Sequence, residues 1–241
     1  MKKPINISKA DALIIANIQI DFLPGGALPI SEGDLVVPVI NDYLKIFRRA
    51  GASIFAVRDW HPQNHASFTG QGGKWPPHCI QETEGAKFHP DLKLPEGAVI
   101  ISKATDTQND SFSSFDRTEL AQNLEMQGVY RLFVGGLATE YCILNTVLDS
   151  RKLGFSTLLL SDAVRGINAK PNDANRAIEE MVSAGAEQVA LEDFPDVLDV
   201  PFEEKPRSVG IAEKPLSKVE LKKKARMRPR GPYKKVRTER G

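Results

Sequence analysis

The strongest constraint this chain places on its fold is a rhythm: short apolar runs alternate with stretches whose apolar residues recur at helical spacing. Residues 12–18, 54–57, 98–102, 130–134, 156–161 and 188–191 read as strands of a buried sheet. Residues 34–50 repeat Val36, Val37, Ile40, Leu44 and Phe47 on a helical period and stop at Gly51, a residue suited to the left-handed turn just past a helix. Residues 118–127, 141–153 and 172–184 read as helices in the same way, closed by Gly128, Gly154 and Gly185. Strands and helices taken in turn imply crossovers, which run the strands parallel and cover both sheet faces. The expected fold is α/β, a central and mostly parallel sheet flanked by helices on both faces, with no internal repeat.

At 241 residues the chain can bury a full core. No apolar stretch approaches the roughly 20 residues needed to cross a bilayer, and residues 1–10 have no apolar segment of the secretory kind. Two cysteines, Cys79 and Cys142, are too few for a disulfide framework, so the expected setting is the reducing cytosol, with no membrane contact. Charge divides the chain in two. Residues 205–241 hold 14 Lys and Arg against Glu213, Glu220 and Glu239, a net charge of +11, which leaves −10 for residues 1–204. The basic stretch is interleaved with prolines and poor in bulky apolar residues, a composition that cannot offset ordering entropy. The expected organisation is a folded domain over 1–204 and a disordered basic tail over 205–241. Such a tail is either a solubilising extension or a weak contact for nucleic acid or acidic partners.

In open α/β sheets, ligands bind beyond the carboxyl ends of the strands, so the residues that follow each strand test for a site. Asn17, Gln19 and Asp21 belong to the first strand end, and Asp59, His61 and His65 to the second. Lys103 follows the third, and Gly135-Gly136-Leu137-Ala138-Thr139-Glu140-Tyr141-Cys142 follows the fourth. Three of the four histidines, His61, His65 and His78, fall with Asp59 inside twenty residues. Imidazoles beside a carboxylate suit one divalent ion, zinc or else manganese or iron. The spacing Asp59-x-His61-x3-His65 lets the chain turn three ligands inward, with His78 closing the set. Taken singly, each histidine would merely hydrogen-bond; the cluster at a strand end argues for a metal.

Cys142 stands after a strand and a turn, in the first turn of the helix expected to follow. Backbone N–H groups and the helix dipole there favour a thiolate, and Lys103 adds positive charge. The glycine-bearing turn leaves N–H groups that could hold an oxyanion. Cys79, in Trp75-Pro76-Pro77-His78-Cys79, lacks that setting and reads as structural.

Over residues 10–195 the chain resembles the nicotinamidases of the isochorismatase-like cysteine hydrolases. The likeness is carried by Ile15-Ala16-Asn17-Ile18-Gln19-Ile20-Asp21-Phe22, Arg58-Asp59-Trp60-His61-Pro62, Trp75-Pro76-Pro77-His78-Cys79, Lys103-Ala104-Thr105-Asp106 and Gly136-Leu137-Ala138-Thr139-Glu140-Tyr141-Cys142. The resemblance implies a cytosolic enzyme of NAD salvage that hydrolyses nicotinamide through a cysteine thioester. A related aromatic amide such as pyrazinamide is an alternative substrate, and homo-oligomers are frequent in the superfamily. By position, the resemblance implies Cys142 as nucleophile, Lys103 as its electrostatic partner, and Asp59, His61, His65 and His78 as metal ligands. It places Phe22 and Trp75 on either face of the pyridine ring. It also implies a cis peptide at Ala138–Thr139 and an oxyanion hole from the backbone N–H groups of Ala138 and Cys142.

One residue departs from that pattern. The family carries an aspartate in the first motif as general base, and this chain has Asn17. An amide accepts no proton near neutral pH. General acid–base catalysis contributes about 10²–10⁴-fold, so the departure implies a slow or silent hydrolase. Asp21 reads as structural rather than as a substitute base, and Phe112, where tyrosine is frequent in the family, is a milder departure. Asn17 is compatible with an engineered exchange, with a homologue that binds nicotinamide-like pyridines without turning them over, or with residual turnover through a Cys142–Lys103 pair.

Overall fold

The computed structural model describes residues 4–195. The basic stretch 205–241, and with it the expected division after residue 204, lies outside the described residues. Strands β1 (Asp11–Ala16), β2 (Ser53–Asp59), β3 (Val99–Lys103), β4 (Arg131–Leu137), β5 (Ser156–Arg165) and β6 (Glu187–Val189) form one sheet in the order β3-β2-β1-β4-β5-β6. Every neighbouring pair is parallel. The helices are α1 (Val36–Ala50), α2 (Leu120–Met126), α3 (Leu144–Lys152) and α4 (Asp173–Ser183). No helix among the described residues is long and apolar enough to cross a membrane.

Strand β1 is buried over its whole length, and its side chains alternate between two cores as the pleat demands. Leu13 and Ile15 join Ile40, Tyr43, Leu44 and Phe47 of α1 on one face. Ala12, Ile14 and Ala16 join Leu120 and Leu124 of α2, Val147 of α3 and Met181 of α4 on the other. With a core on each side, no register of the strand can be polar, and the expected α/β sheet with helices on both faces is what the chain adopts. The exception, Asp11 at the amino end of β1, is fully buried but doubly held. Arg131 Nε donates to its Oδ1 at 2.6 Å and Nη2 to its Oδ2 at 2.8 Å.

Element ends differ from expectation where backbone geometry rather than side-chain pattern decides. β1 stops at Ala16, two residues early, because Asn17 turns the chain with φ 58°. β4 runs on to Leu137, through the Gly135-Gly136 pair that reads as a turn. At Gly136 (φ 122°) a Cβ would stand 2.0 Å from the Ala16 carbonyl oxygen, so the close approach of β4 to β1 requires glycine there. Gly136→Ala is expected to destabilise the domain by about 3 kcal/mol or more. The check is a lower denaturant midpoint at unchanged slope. β5 extends to Arg165, beyond a register shift against β4 between Val134 and Gly136. The helix expected over 141–153 begins instead as a five-residue π turn, Thr139–Ile143, and continues as α3 only from Leu144.

Candidate active site

Strand order reverses between β1 and β4, and an open α/β sheet leaves a crevice at such a point. Asn17 enters from the end of β1, Asp59 from the last position of β2, Lys103 from the last position of β3 and Cys142 from the turn after β4. All four line one cavity, together with Phe22, His61, Trp75, His78, Phe112, Ala138 and Ile167. Of the site residues expected from sequence, His65 alone does not line it.

Asp59 is fixed from three sides. Gln19 clamps its backbone, Nε2 donating to the Asp59 carbonyl at 2.8 Å and Oε1 accepting the Asp59 N–H at 2.8 Å. The carboxylate takes an ion pair from Lys103 through Oδ1 and a hydrogen bond from Asn17 Nδ2 to Oδ2 at 3.1 Å. Lys103 also donates to the Ser111 carbonyl at 2.6 Å. Burial alone would favour the neutral forms, but the attraction between the two charges outweighs it. The Asp59 carboxyl is held below its ordinary range and the Lys103 ammonium above. Lys103 thus makes its direct contacts with Asp59 and Ser111, and acts on Cys142 through space. Asn17 adopts a left-handed conformation that asparagine tolerates well, and its Oδ1 is buried without a hydrogen-bond partner. Asp21 makes a structural contact, its Oδ2 accepting the Cys79 N–H at 2.7 Å.

Asp59, His61 and His78 are all buried, and each presents one donor atom within 4.8 Å of the others. His78 Nδ1 donates to the Pro76 carbonyl at 2.8 Å, which leaves the Nε2 lone pair available. Burial pushes the His61 pKa down to about 4 against the attraction of Asp59, so the ring is neutral at pH 7. Its Nδ1 is buried with no hydrogen-bond partner. Two imidazoles, one of them with an unsatisfied buried nitrogen, and a carboxylate form a donor set of three residues that fits a divalent ion. His65 stands apart from this group of three. Its ring centroid is 4.3 Å from that of His61, yet Nε2 faces the Asn109 carbonyl at 3.2 Å and Nδ1 the Ser67 hydroxyl at 2.7 Å. A tight turn, closed by the His65 N–H on the Pro62 carbonyl at 3.1 Å, brings the ring to Ser67.

Cys142 lies in the π turn and is 2% exposed. Its Sγ is 4.0 Å from both Ser114 Oγ and Thr146 Oγ1, and Thr146 donates to Ser114 at 2.9 Å. The expectation of a depressed thiol pKa is reversed. Burial pushes the thiol up, with Lys103 the largest opposing influence and Thr146 and Ser114 smaller ones. The helix expected to lower it begins at Leu144, two residues beyond the sulfur, so its dipole is aimed less well than a first-turn position would give. The cis peptide is at Leu137–Ala138, one bond earlier than expected, between the end of β4 at Leu137 and the π turn that starts at Thr139. Phe22 meets His78 edge-on at 5.4 Å between centroids, and Trp75 meets Tyr141 edge-on at 5.2 Å. Tyr141 also packs on Phe112 at 5.6 Å. Sequence reasoning missed Thr146, although it stands one helical turn past Cys142. Ser114 and the Gln19 clamp join positions far apart in the chain, and nothing in the local sequence marks them.

The family model for the isochorismatase domain matches residues 11–193. The nicotinamidase of Escherichia coli (strain K12) is 37% identical over 204 residues, covering 76% of this chain and 96% of that protein. Among solved structures, the pyrazinamidase of Pyrococcus horikoshii in complex with zinc is 51% identical with a TM-score of 0.73, covering 75% of this chain and 99% of that one. PnC1 from L. infantum in complex with nicotinate is 35% identical with a TM-score of 0.74, covering 80% and 98% respectively. A family match over nearly all the described residues, on the parallel sheet already described, has one consequence: the chain belongs to the isochorismatase-like family and, within it, to the nicotinamidases.

Proposed function

We propose that the chain is a metal-dependent amidohydrolase acting on nicotinamide or a closely related aromatic amide, slowed by Asn17. The observation that carries this reading is a single cavity holding one thiol, one buried lysine and an Asp/His/His group behind aromatic walls. The relatives support the substrate class: one is a nicotinamidase, one a pyrazinamidase that binds zinc, and one binds nicotinate.

On this reading Phe22 and Trp75 flank the pyridine ring. Asp59, His61 and His78 would hold one divalent ion, zinc before manganese or iron, with His65 joining once its ring gives up Ser67. When bound, such an ion supplies a Lewis-acidic contact for the ring nitrogen or a water. The Cys142 sulfur attacks the carboxamide carbon, and the N–H groups of Ala138 and Cys142 receive the oxyanion. The C–N bond breaks, the departing nitrogen takes up the thiol proton, and ammonia leaves. Water then cleaves the thioester, releasing nicotinate and restoring the thiol. Lys103 offsets negative charge on the sulfur. Asn17 carries none of these protons, so cavity water must relay them, and turnover is slow.

Ammonia release from nicotinamide by the zinc-loaded protein tests the reading. Slow release is expected, falling at least about tenfold on chelation and returning when zinc is restored. Nicotinate binding without any release would select a second reading, a pyridine-binding homologue. That reading is favoured by the Asn17 amide, which donates to Asp59 and leaves no base in its place. Neither release nor binding overturns both.

A further inference from the structure

The turn that carries Cys142 is tied to a neighbouring loop through a side chain that the mechanism does not use. Glu140 reaches with Oε1 to the backbone N–H of Asn168 at 2.6 Å. Asn168 is itself held in a left-handed conformation (φ 51°), and its Oδ1 accepts the N–H of Ala174, in the first turn of α4, at 3.0 Å. The second carboxylate oxygen of Glu140 is buried with no hydrogen-bond partner. A Cβ at Gly166 would stand 2.6 Å from that oxygen and 2.7 Å from the Ala174 Cβ. The carboxylate is therefore wedged between the π turn, the loop and α4, and glycine at 166 makes the room. Between Gly166 and Asn168 sits Ile167, which lines the cavity shared with Cys142.

A carboxylate left with an unsatisfied buried oxygen is unfavourable in itself. Its one charge-assisted bond goes to the backbone immediately after the residue that walls the cavity. We infer that Glu140 is a positioning residue that fixes the Ile167 wall relative to the Cys142 sulfur, and so sets the width of the cavity where a flat ring would lie. The substrate part of this inference rests on the hydrolase reading above; the geometric part does not.

The test uses the full-length protein with Glu140→Ala, Glu140→Gln and Gly166→Ala. The rate at which iodoacetamide alkylates Cys142, followed by mass spectrometry, reports the wall without any substrate. Glu140→Ala is expected to speed that alkylation about tenfold, the effect of losing one charge-assisted hydrogen bond. Glu140→Gln keeps an oxygen for the Asn168 N–H and should restore most of the parent rate. Gly166→Ala displaces the carboxylate from the other side and should act in the same direction. Combined with Glu140→Ala it should add far less than its single effect, because both break one junction. With nicotinamide as substrate, Glu140→Ala should raise KM about tenfold and change kcat less than about threefold, a split that general loosening would not give. Parent-like alkylation in folded Glu140→Ala, or Glu140→Gln as fast as Glu140→Ala, overturns the proposal. Should Glu140→Ala not fold, Gly166→Ala and Glu140→Gln decide by the same criterion. Should the parent neither bind nicotinate nor release ammonia, the hydrolase reading fails while the alkylation rates still decide the role of Glu140.

Discussion

Asn17→Asp is expected to raise nicotinamide turnover about 10²–10⁴-fold, the range one positioned general base contributes. The exchange suits the backbone, since aspartate tolerates the left-handed φ of 58° much as asparagine does. The Asn17 N–H to Val57 carbonyl bond of 2.9 Å, which anchors the turn, does not involve the side chain and survives. What changes is the chemistry at two atoms. Oδ1, buried without a partner, becomes a carboxylate oxygen in the wall that Cys142 also lines. That gives an acceptor for a thiol proton that burial has made harder to lose. At the other atom, the 3.1 Å donation from Nδ2 to Asp59 becomes an approach of two carboxylates. Such a pair cannot comfortably carry two charges and holds one proton, a property that serves a group that must take a proton and return it. Lys103, already paired with Asp59, offsets the remaining charge. The measurement is steady-state ammonia release by zinc-loaded parent and variant, with zinc content as control. kcat should rise while the KM for nicotinamide, a neutral ligand, changes less than about threefold, because the exchange leaves Phe22 and Trp75 untouched. A variant no faster than the parent shows that the thiol proton has another acceptor and that Asn17 is not the decisive departure.

The sequence made legible what local pattern determines. β1, buried on both faces, can only be an apolar run, and the glycine after each helix marks its end whatever packs against it. Of the four residues expected to hold a metal, Asp59, His61 and His78 come together because a strand end and the loops beyond it converge. Contacts across the sheet decide the rest. Lys103 lies 44 residues from Asp59, and no spacing rule shows that it spends its hydrogen bonds there rather than on the sulfur. His65 has the ligand type and spacing of its neighbours, yet Ser67 and the Asn109 carbonyl set its ring. The Gly135-Gly136 pair has the composition of a turn and lies within a strand, because the constraint on it is the Ala16 carbonyl on the adjacent strand. The π turn follows from that same shift, since β4 ends three residues later than its apolar pattern does.

Cys142→Ala in the Asn17→Asp background is expected to lower ammonia release by about 10⁴-fold or more, leaving only what oxyanion contacts and binding supply to direct attack by water. No second thiol can take over. Cys79 is fully buried, its N–H is held by Asp21, burial pushes its thiol pKa up, and it is absent from the cavity wall. Binding, by contrast, should persist. Lys103 keeps its ion pair with Asp59 and its bond to the Ser111 carbonyl without the sulfur, so the charge balance beneath the cavity survives the exchange. The Ser114–Thr146 hydrogen bond also remains closed, and only two 4.0 Å contacts to Sγ are lost. Zinc content near that of the parent and nicotinate affinity within about threefold would accompany the lost turnover, since truncation removes an interaction made chiefly in the transition state. Residual release above about 1% of the Asn17→Asp rate would mean that water attacks the carboxamide directly, helped by an ion at Asp59, His61 and His78. In that outcome the covalent route is wrong. The buried thiol between Ser114 and Thr146 would then be a packing group, and the chemistry would belong to the other end of the cavity.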